Sequence, residues 1–202
     1  VSEMLKSMYT PSNYAMGFTE GRSVVTNATA HKGQNYVFNI DLKDFFPSVE
    51  QGRVMKRLTL SPFNFSPEIA LLISGLCSMR AKRENPIESK KHYLDKLFAY
   101  VLPQGAPTSP IITNMICDTL DRRLAGLAKR FGLRYTRYAD DITFSSMHYV
   151  YAEKGDFRKE LVRIIQDQGF AINENKTRLQ KLGSRQEVTG VIVSDKINVT
   201  KK

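Results

Sequence analysis

The alternation of apolar and polar positions along the chain predicts a fold that combines helices with an antiparallel sheet. Runs rich in β-branched and aromatic residues predict strands at 36–42, 97–102, 133–138, 142–146, 178–182 and 187–193. Apolar residues at helical spacing predict helices at 23–32, 48–59, 67–79, 109–131 and 151–168. This order of elements indicates an α+β fold with the helices packed on one face of the sheet.

The remaining segments are predicted to be irregular. Residues 1–22 carry turn signals, and the charged stretch 80–96, interrupted by Pro86, is typical of an exposed loop. Ser23 and Pro110 favour helix starts, whereas Gly132 favours a helix end. Because no linker rich in Pro, Gly or Ser divides the chain, its 202 residues are expected to form a single domain.

The charge balance favours a polyanionic partner. Lys and Arg total 30 against 20 for Asp and Glu, which gives a net charge of +10. Such a surplus attracts nucleic acid or nucleotides. The apolar fraction of 42% excludes a disordered tail, and no apolar run approaches the roughly 18 residues of a membrane span, so no membrane partner is expected.

The cysteines and histidines argue against a disulfide framework and against a zinc site. Cys77 and Cys117 lie in apolar segments, which predicts buried thiols in a reducing, cytoplasmic compartment. The histidines His31, His92 and His148 are scattered, so a zinc site is not expected.

Three aspartates do not have the setting of ordinary surface charge. Asp41 lies inside an apolar strand, and Asp140 and Asp141 occupy a tight hairpin between two strands. A buried carboxylate costs several kcal/mol unless it is compensated, and Mg²⁺ is a cation that prefers such oxygens. Three carboxylates can hold two ions roughly 3.5–4 Å apart, the geometry of phosphoryl transfer. The alternative is that the Asp-Asp pair is ordinary turn chemistry.

Four motifs resemble those of reverse transcriptases. They are YADD at 138–141, DLKDFF at 41–46, LPQGAPTSP at 102–110 and GFAINENK at 169–176. They follow one another in the order of that family, and the resemblance covers about residues 17–193. It implies a palm at about 36–59 and 101–202 and partial fingers at about 1–35 and 60–100. About 16 residues precede Gly17 and the chain ends at Lys202, so a basic fingers segment and a thumb are expected to be missing.

The resemblance also implies catalytic roles. Asp41, Asp140 and Asp141 would hold two Mg²⁺ ions, for which Mn²⁺ can substitute, and the Leu42 carbonyl would assist. Lys176 would donate a proton to the leaving pyrophosphate; the alternative is a solvated lysine that follows a turn.

A second set of residues is implied to bind the incoming nucleotide. The backbone N–H groups of Asp44 and Phe45 would meet the triphosphate, and Gln104 and Gly105 would line the pocket. Phe46 would stack under the sugar and exclude a ribose 2′-OH, because an aromatic ring offers that hydroxyl no acceptor. The substrates would then be dNTPs. The alternative is that Phe46 belongs to the core.

Two further motifs narrow the lineage. NATAH, from Asn27 to His31, resembles the NAxxH motif, and Val188-Thr189-Gly190 resembles the VTG motif, of bacterial retron reverse transcriptases. Both motifs are implied to bind RNA. The alternatives are a hydrogen bond between a helix and the sheet for Asn27 and His31, and a strand bulge at Gly190. The stretch 17–23 (GFTEGRS) is shared more widely, including with group II intron enzymes.

The resemblance implies an RNA-directed DNA polymerase of the retron type. Such enzymes copy a structured non-coding RNA, pass through an RNA–DNA hybrid and make a branched msDNA-type product, and many act in antiphage defence with an effector protein. The basic loop with Lys82, Arg83, Lys90 and Lys91 either touches phosphates or is merely solvated. The alternatives are a group II intron or diversity-generating reverse transcriptase, or a catalytically silent palm that binds nucleic acid.

Overall fold

The computed structural model describes residues 1–83, 97–193 and 197–199, so Lys90 and Lys91 of the predicted basic loop lie outside the described residues. Its α-helices are α1 (Ser2–Met8), α2 (Val24–Thr29), α3 (Gln51–Leu58), α4 (Pro67–Leu76), α5 (Ser109–Arg130) and α6 (Asp156–Asp167). Its strands are β1 (Tyr36–Asp41), β2 (Met79–Lys82), β3 (Phe98–Val101), β4 (Arg134–Tyr138), β5 (Asp141–Ser146), β6 (Arg178–Lys181), β7 (Glu187–Val188), β8 (Val191–Val193) and β9 (Ile197–Val199).

The chain folds into two compact units. The first unit comprises Val1–Thr10 and Asp44–Ile116, and the second unit comprises Pro11–Lys43 and Cys117–Lys202. In the first unit, α1, α3 and α4 accompany the antiparallel hairpin of β2 and β3. Its core buries aliphatic and aromatic side chains together with the predicted buried thiol of Cys77.

The sheet of the second unit has four antiparallel strands in the order β4-β5-β1-β6. One face of this sheet is apolar. Phe38 and Phe144 are paired across β1 and β5, and both pack against Phe157 of α6 with ring centroids 6.4 and 5.2 Å away. On the same face, the Tyr135 hydroxyl donates to Asp121 of α5. The two long helices therefore cover one face of an antiparallel sheet, as the sequence predicts.

The opposite face of the sheet is polar. Asn39, Asp41 and Thr143 project on this side, because side chains alternate along a strand and Asn39 pairs with Thr143. The short helix α2 and the strands β7 and β8 cover part of it through a small apolar cluster of Ala28, Val37, Val188, Val191 and Val193. At the end of this face, Asp41 and Asp141 line a pocket.

Local sequence explains where several helices begin and end. Ser23 and Thr26 form a capping box at the start of α2, which confirms the predicted cap. Ser66 caps α4, which has Pro67 in its first turn. Gly132, with φ of +64°, follows α5. Among the described residues, no helix has the length and apolar character that are needed to cross a bilayer.

Several predicted elements differ from the structure. Residues 2–8, for which no helix was predicted, form a helix that buries Leu5. The predicted loop at 80–96 begins within β2, which pairs with β3. Helices expected to begin at 48 and 151 begin at Gln51 and Asp156. The single strand expected at 187–193 is wrong, because the chain reverses at Thr189 and Gly190.

Candidate active site

The register of β1 and β5 brings two of the predicted catalytic carboxylates together. Asp41, the last residue of β1, is the direct partner of Asp141, the first residue of β5. Tyr138 of β4 also pairs with Asp141, so the intervening turn consists of Ala139 and Asp140. The Leu42 N–H donates to the Asp140 carbonyl at 3.1 Å. The three aspartates thus lie at one end of the sheet, two on paired strands and one in the turn between strands.

Asp41 is held by residues that follow α6. Its backbone carbonyl accepts from the Asn173 N–H at 2.8 Å, and its Oδ1 accepts from the Asn173 amide at 3.0 Å. Its Oδ2 lies 3.2 Å from Lys176 Nζ. The Lys176 side chain is 64% exposed, whereas that of Asp41 is 10% exposed. The ammonium group therefore covers the outer side of a nearly buried carboxylate.

The electrostatics of the other two aspartates are unfavourable for the ionised form. Burial raises the pKa of Asp141 to about 6, and the charges of Asp140 and Asp41 add to this rise. Burial and the charge of Asp41 also raise the pKa of Asp140, against a backbone hydrogen bond and Lys176. Lys176 and Arg178 offset the effect on Asp141 only in part. The site thus has excess negative charge, which a cation would stabilise.

A pocket of about 380 Å³ opens at this end of the sheet. Its walls include the carboxylates of Asp41 and Asp141, the cations of Lys176 and Arg178, and the Thr189-Gly190 turn. A lining that holds both acidic and basic groups suits a ligand that combines a divalent cation with phosphates.

The donor set fits Mg²⁺ or Mn²⁺. Carboxylate oxygens of Asp41, Asp140 and Asp141 with the Leu42 carbonyl are hard ligands of the type that these ions prefer. Among residues 1–83, 97–193 and 197–199, no three His, Cys, Asp or Glu side chains are already grouped closely enough to hold a metal ion. Lys176 instead bonds to Asp41. The Lys176 ammonium would therefore compete with a metal ion for Asp41 Oδ2.

The predicted nucleotide-binding residues, at 44–46 and 104–105, all belong to the first unit. Asp44 is exposed with φ of +47°, and Phe45 is buried. Phe46 is half-buried, with its ring centroid 5.4 Å from that of Phe45. Gln104 is exposed, and Gly105 has φ of +90°. Phe45 is therefore the core residue of the pair, while Phe46 keeps a solvent-accessible ring.

The chain matches the family described as "Reverse transcriptase (RNA-dependent DNA polymerase)" over residues 1–193. The chain belongs to the reverse transcriptase family. Among curated proteins, it is 39% identical to the retron Mx65 reverse transcriptase of Myxococcus xanthus, covering 98% of this chain and 45% of that protein. It is 35% identical to the retron Ec86 reverse transcriptase of Escherichia coli, covering 91% of this chain and 50% of that protein. These relatives confirm the resemblance to retron enzymes, and the chain spans half of their length or less.

Solved structures show the same fold in distant reverse transcriptases. A telomerase from Candida albicans, in complex with a TWJ fragment of telomeric RNA, matches with a TM-score of 0.54 at 13% identity, over 94% of this chain and 36% of that chain. An apo telomerase from Candida tropicalis matches with a TM-score of 0.50 at 12% identity, over 82% of this chain and 35% of that chain. At such identities the likeness shows the fold alone, and it confirms the predicted fold class.

The two retron-like motifs of this reverse transcriptase meet in one buried network. The Thr136 hydroxyl donates to Asn27 Oδ1 at 2.5 Å, and the Asn27 amide donates to the Thr189 hydroxyl at 2.8 Å. His31 bonds to Thr136 and Ser145 through its two ring nitrogens, each at 2.7 Å. Because the Thr136 proton is used on Asn27, Nε2 of His31 carries the hydrogen, and Nδ1 accepts from Ser145.

This network supports the alternative role of NATAH, a link from α2 to the sheet. Asn27 and His31 are fully buried, and burial together with the charge of Arg134 lowers the pKa of His31 to about 3. The ring is therefore neutral at physiological pH. Thr189 and Gly190, with φ of +48° and +79°, form a tight turn rather than the strand bulge that was the alternative, and Val188 is buried. Their contact with RNA stays a prediction.

Sequence reasoning missed two groups at this site. Asn173 lies in the GFAINENK motif, yet its amide contact with Asp41 has no signature in composition or spacing. Asp121 and Arg137 form a fully buried ion pair at 2.7 Å next to the hairpin. The available signal was position: Asp121 falls on the same face of α5 as the buried residues Cys117, Leu120 and Leu124.

Proposed function

We propose that this chain forms the catalytic region of an RNA-directed DNA polymerase of the retron type. The observation that carries the proposal is the pairing of Asp41 with Asp141, beside Asp140, at one end of the sheet. Paired acidic residues with raised pKa values are an arrangement suited to divalent cations and phosphoryl transfer. Membership of the family and the identity to retron enzymes support this assignment.

Each residue of the site has a definite task in the proposed reaction. Asp41, Asp140 and Asp141, with the Leu42 carbonyl, would hold two Mg²⁺ ions, and Mn²⁺ could replace them. When bound, the metal ions activate the attacking hydroxyl and stabilise charge on the phosphates. Lys176 keeps its proton, because the hydrogen bond to Asp41 and the charge of that carboxylate raise its pKa. Once released from Asp41, this ammonium group would protonate the leaving pyrophosphate.

The residues at 44–46 and 104–105 would select the nucleotide. Backbone N–H groups of Asp44 and Phe45 would bind the triphosphate, with Gln104 and Gly105 lining the pocket. The half-buried ring of Phe46 would lie under the sugar, where a ribose 2′-OH finds no acceptor. The proposed substrates are therefore dNTPs.

The finer features of the proposal come from the resemblance to retron enzymes. The template would be a structured non-coding RNA, with an RNA–DNA hybrid as the intermediate and a branched msDNA-type molecule as the product. The net charge of +10 supports a polyanionic partner. A role in antiphage defence with an effector protein completes the proposal.

Primer extension tests the polymerase assignment directly. The chain is incubated with a primed RNA template, Mg²⁺ and either dNTPs or rNTPs, beside the double variant Asp140→Asn/Asp141→Asn. Asp167→Asn, which removes a half-exposed carboxylate of α6, is the matched control. The proposal predicts incorporation of dNTPs by the parent chain and the control, and none by the double variant.

Other outcomes would change the assignment in specific ways. Efficient incorporation of rNTPs would contradict the role of Phe46. Tight binding of the primed template, measured by fluorescence anisotropy, without any incorporation would favour the alternative, a silent palm that binds nucleic acid.

A further inference from the structure

The residue before Asp140 adopts an unusual backbone conformation. Ala139 has φ of +56°, in the left-handed region that residues other than glycine occupy mainly where their neighbours hold them. The direction in which the chain leaves Ala139 determines where the Asp140 carboxylate lies. Whatever fixes Ala139 therefore fixes one of the proposed metal ligands.

A buried ion pair contacts Ala139 from one side. Arg137 Nη1 donates to the Ala139 carbonyl at 3.1 Å. The same guanidinium binds both oxygens of Asp121, at 2.7 Å through Nε and 2.8 Å through Nη2, and Tyr135 donates to Asp121 at 2.7 Å. Both charged side chains have no exposed surface. A bidentate pair fixes the plane of the guanidinium, and so it also fixes the position of Nη1.

Gly17 contacts the turn from another direction. A Cβ atom at Gly17 would lie 2.6 Å from the Ala139 nitrogen and 3.2 Å from the Tyr138 carbonyl carbon. Real Cβ atoms essentially never approach backbone so closely. Gly17 is not among the residues with positive φ, so it is the space, and not the backbone conformation, that requires glycine here.

The segment that carries Gly17 is itself tied to the hairpin. The Met16 N–H donates to the Arg137 carbonyl at 2.7 Å, and the Arg137 N–H donates to the Tyr14 carbonyl at 2.8 Å. Arg22 closes this segment, because its Nη1 donates to the carbonyls of Ser12 and Ala15 at 2.6 and 2.7 Å. Gly17 and Arg22 thus both belong to a segment that hydrogen bonds hold against the hairpin.

We propose that Gly17 and the Asp121–Arg137 pair are positioning residues that hold Ala139, and through it Asp140, in the geometry needed for metal binding. The inference rests on the proposed polymerase function for its effect on rate. Its structural part, the placement of the hairpin, can be tested separately.

Gly17→Ala is the sharpest test, because it adds one methyl group at the point of contact. The matched control is Gly126→Ala in α5, where an added Cβ meets nothing within 4 Å. Single-nucleotide incorporation is measured over a range of dNTP concentrations, and hydrogen exchange is measured at the Leu42 amide, which bonds to the Asp140 carbonyl. A displacement of about 1 Å at a reacting group can reduce the rate about 100-fold.

We expect Gly17→Ala to lower kcat by about 100-fold, to leave the KM for dNTP within about threefold, and to speed exchange at Leu42. Gly126→Ala should match the parent chain in all three. A Gly17→Ala protein that retains the parental kcat and the parental protection of Leu42 would overturn the proposal. A change in KM with an unchanged kcat would also overturn it, because it would indicate a role in binding.

A second variant keeps the test decisive if Gly17→Ala fails to fold. The triple change Asp121→Leu/Tyr135→Phe/Arg137→Met removes the bond to Ala139 without leaving a buried charge or hydroxyl unpaired. We expect the triple variant to be folded, which a cooperative unfolding transition would show. We also expect it to have a reduced kcat and faster hydrogen exchange at the Leu42 amide. Parental values of both would overturn the proposal.

The two readouts separate this inference from the proposed function. If the parent chain incorporates no nucleotide, the polymerase assignment fails, while exchange at Leu42 still reports on the hairpin. Faster exchange in Gly17→Ala than in Gly126→Ala would support the positioning role, and equal exchange would contradict it.

Discussion

In the second unit, Asp121 and the aspartates at the hairpin differ in how their charge is compensated. Asp121 has no exposed surface, and the Arg137 guanidinium and the Tyr135 hydroxyl bind its carboxylate oxygens. At the hairpin, the carboxylates of Asp140 and Asp141 lie near each other and near Asp41, and the pKa values of both are raised. Lys176, the cation that bonds to Asp41, has a largely exposed side chain.

The difference indicates two uses of carboxylate charge in this unit. The protein itself neutralises the charge of Asp121, which makes that group part of the fold. At the hairpin, the negative charge exceeds what neighbouring cations offset, so it is available to a ligand. Neutralising substitutions should therefore have opposite effects on stability in the two groups, and only one group should control catalysis through direct contact with the ligand.

The largest effect is expected for catalysis at the hairpin. Asp140→Asn removes a proposed metal ligand while keeping the shape of the side chain, and it should lower the primer-extension rate about 10⁴-fold, or ~5 kcal/mol. The variant should unfold at the same temperature as the parent chain or a higher one, because it relieves repulsion. Residual activity within tenfold of the parent rate would remove Asp140 from the ligand set.

The next largest effect is expected for the compensated pair. Asp121→Asn leaves the buried Arg137 guanidinium without its counter-charge, which should lower the free energy of unfolding by about 3–5 kcal/mol. Urea denaturation followed by circular dichroism measures this loss. Asp141→Asn serves as the contrast, since it should not destabilise the chain. If both substitutions destabilised it equally, the two groups would not differ as described.

The pH dependence of stability should sharpen the contrast further. The pKa of Asp141 is about 6 in the folded chain against an ordinary value of 3.8, so its ionisation opposes folding as the pH rises from about 4 to about 6. After allowance for its partial exposure, the ionisation of Asp141 should lower the free energy of unfolding by ~1–2 kcal/mol above pH 6. Asp141→Asn should abolish that loss.

The stability of the parent chain must be compared with that of Asp141→Asn at each pH, because the titration of His31 changes stability with pH in the opposite direction. Its folded pKa of about 3 lies below the ordinary 6.5, so the stability that its neutral form contributes is lost as the pH falls from about 6.5 to about 3. The difference in unfolding free energy between the variant and the parent chain isolates Asp141. It should grow between pH 4 and 6 and then level off; a difference that is constant with pH would contradict the raised pKa.

The smallest effect is expected for exposed charge. Arg123 and Asp167 form an ion pair at 2.7 Å, with side chains 27% and 43% exposed. Solvent screening should keep the effect of Asp167→Asn on the free energy of unfolding far below that of Asp121→Asn, in urea denaturation at moderate salt. A loss as large as that of Asp121→Asn would show that burial is not what distinguishes the pairs.

The sequence predicted the parts of the site that depend on local pattern. The apolar pattern placed Asp41 inside a strand, and the tight spacing between two strands placed Asp140 and Asp141 in a turn. The sequence predicted an antiparallel sheet, but it did not predict which strands are neighbours or their register. The direct pairing of Asp41 with Asp141 depends on both, so it became visible only in the structure.

The rest depended on contacts between residues distant in the chain. The i, i+4 spacing of Asn27 and His31 places them on one helical face, yet it does not reveal Thr136, Ser145 and Thr189 as their partners. Asp121 falls on the buried face of its helix, yet the sequence does not reveal that its partner is Arg137, which lies across a helix-to-strand connection. Such pairings are decided by tertiary packing, which has no local signature.

Binding of Mn²⁺, followed by electron paramagnetic resonance of the free ion, tests the central claim most directly. The negative charge of the hairpin carboxylates is only partly offset by neighbouring cations and is therefore available to a divalent cation, whereas the charge of Asp121 is neutralised by Arg137. We expect the chain to bind Mn²⁺ at pH 7, Asp140→Asn to lose this binding, and Asp167→Asn to retain it. Equal Mn²⁺ binding by Asp140→Asn and by the parent chain would contradict it.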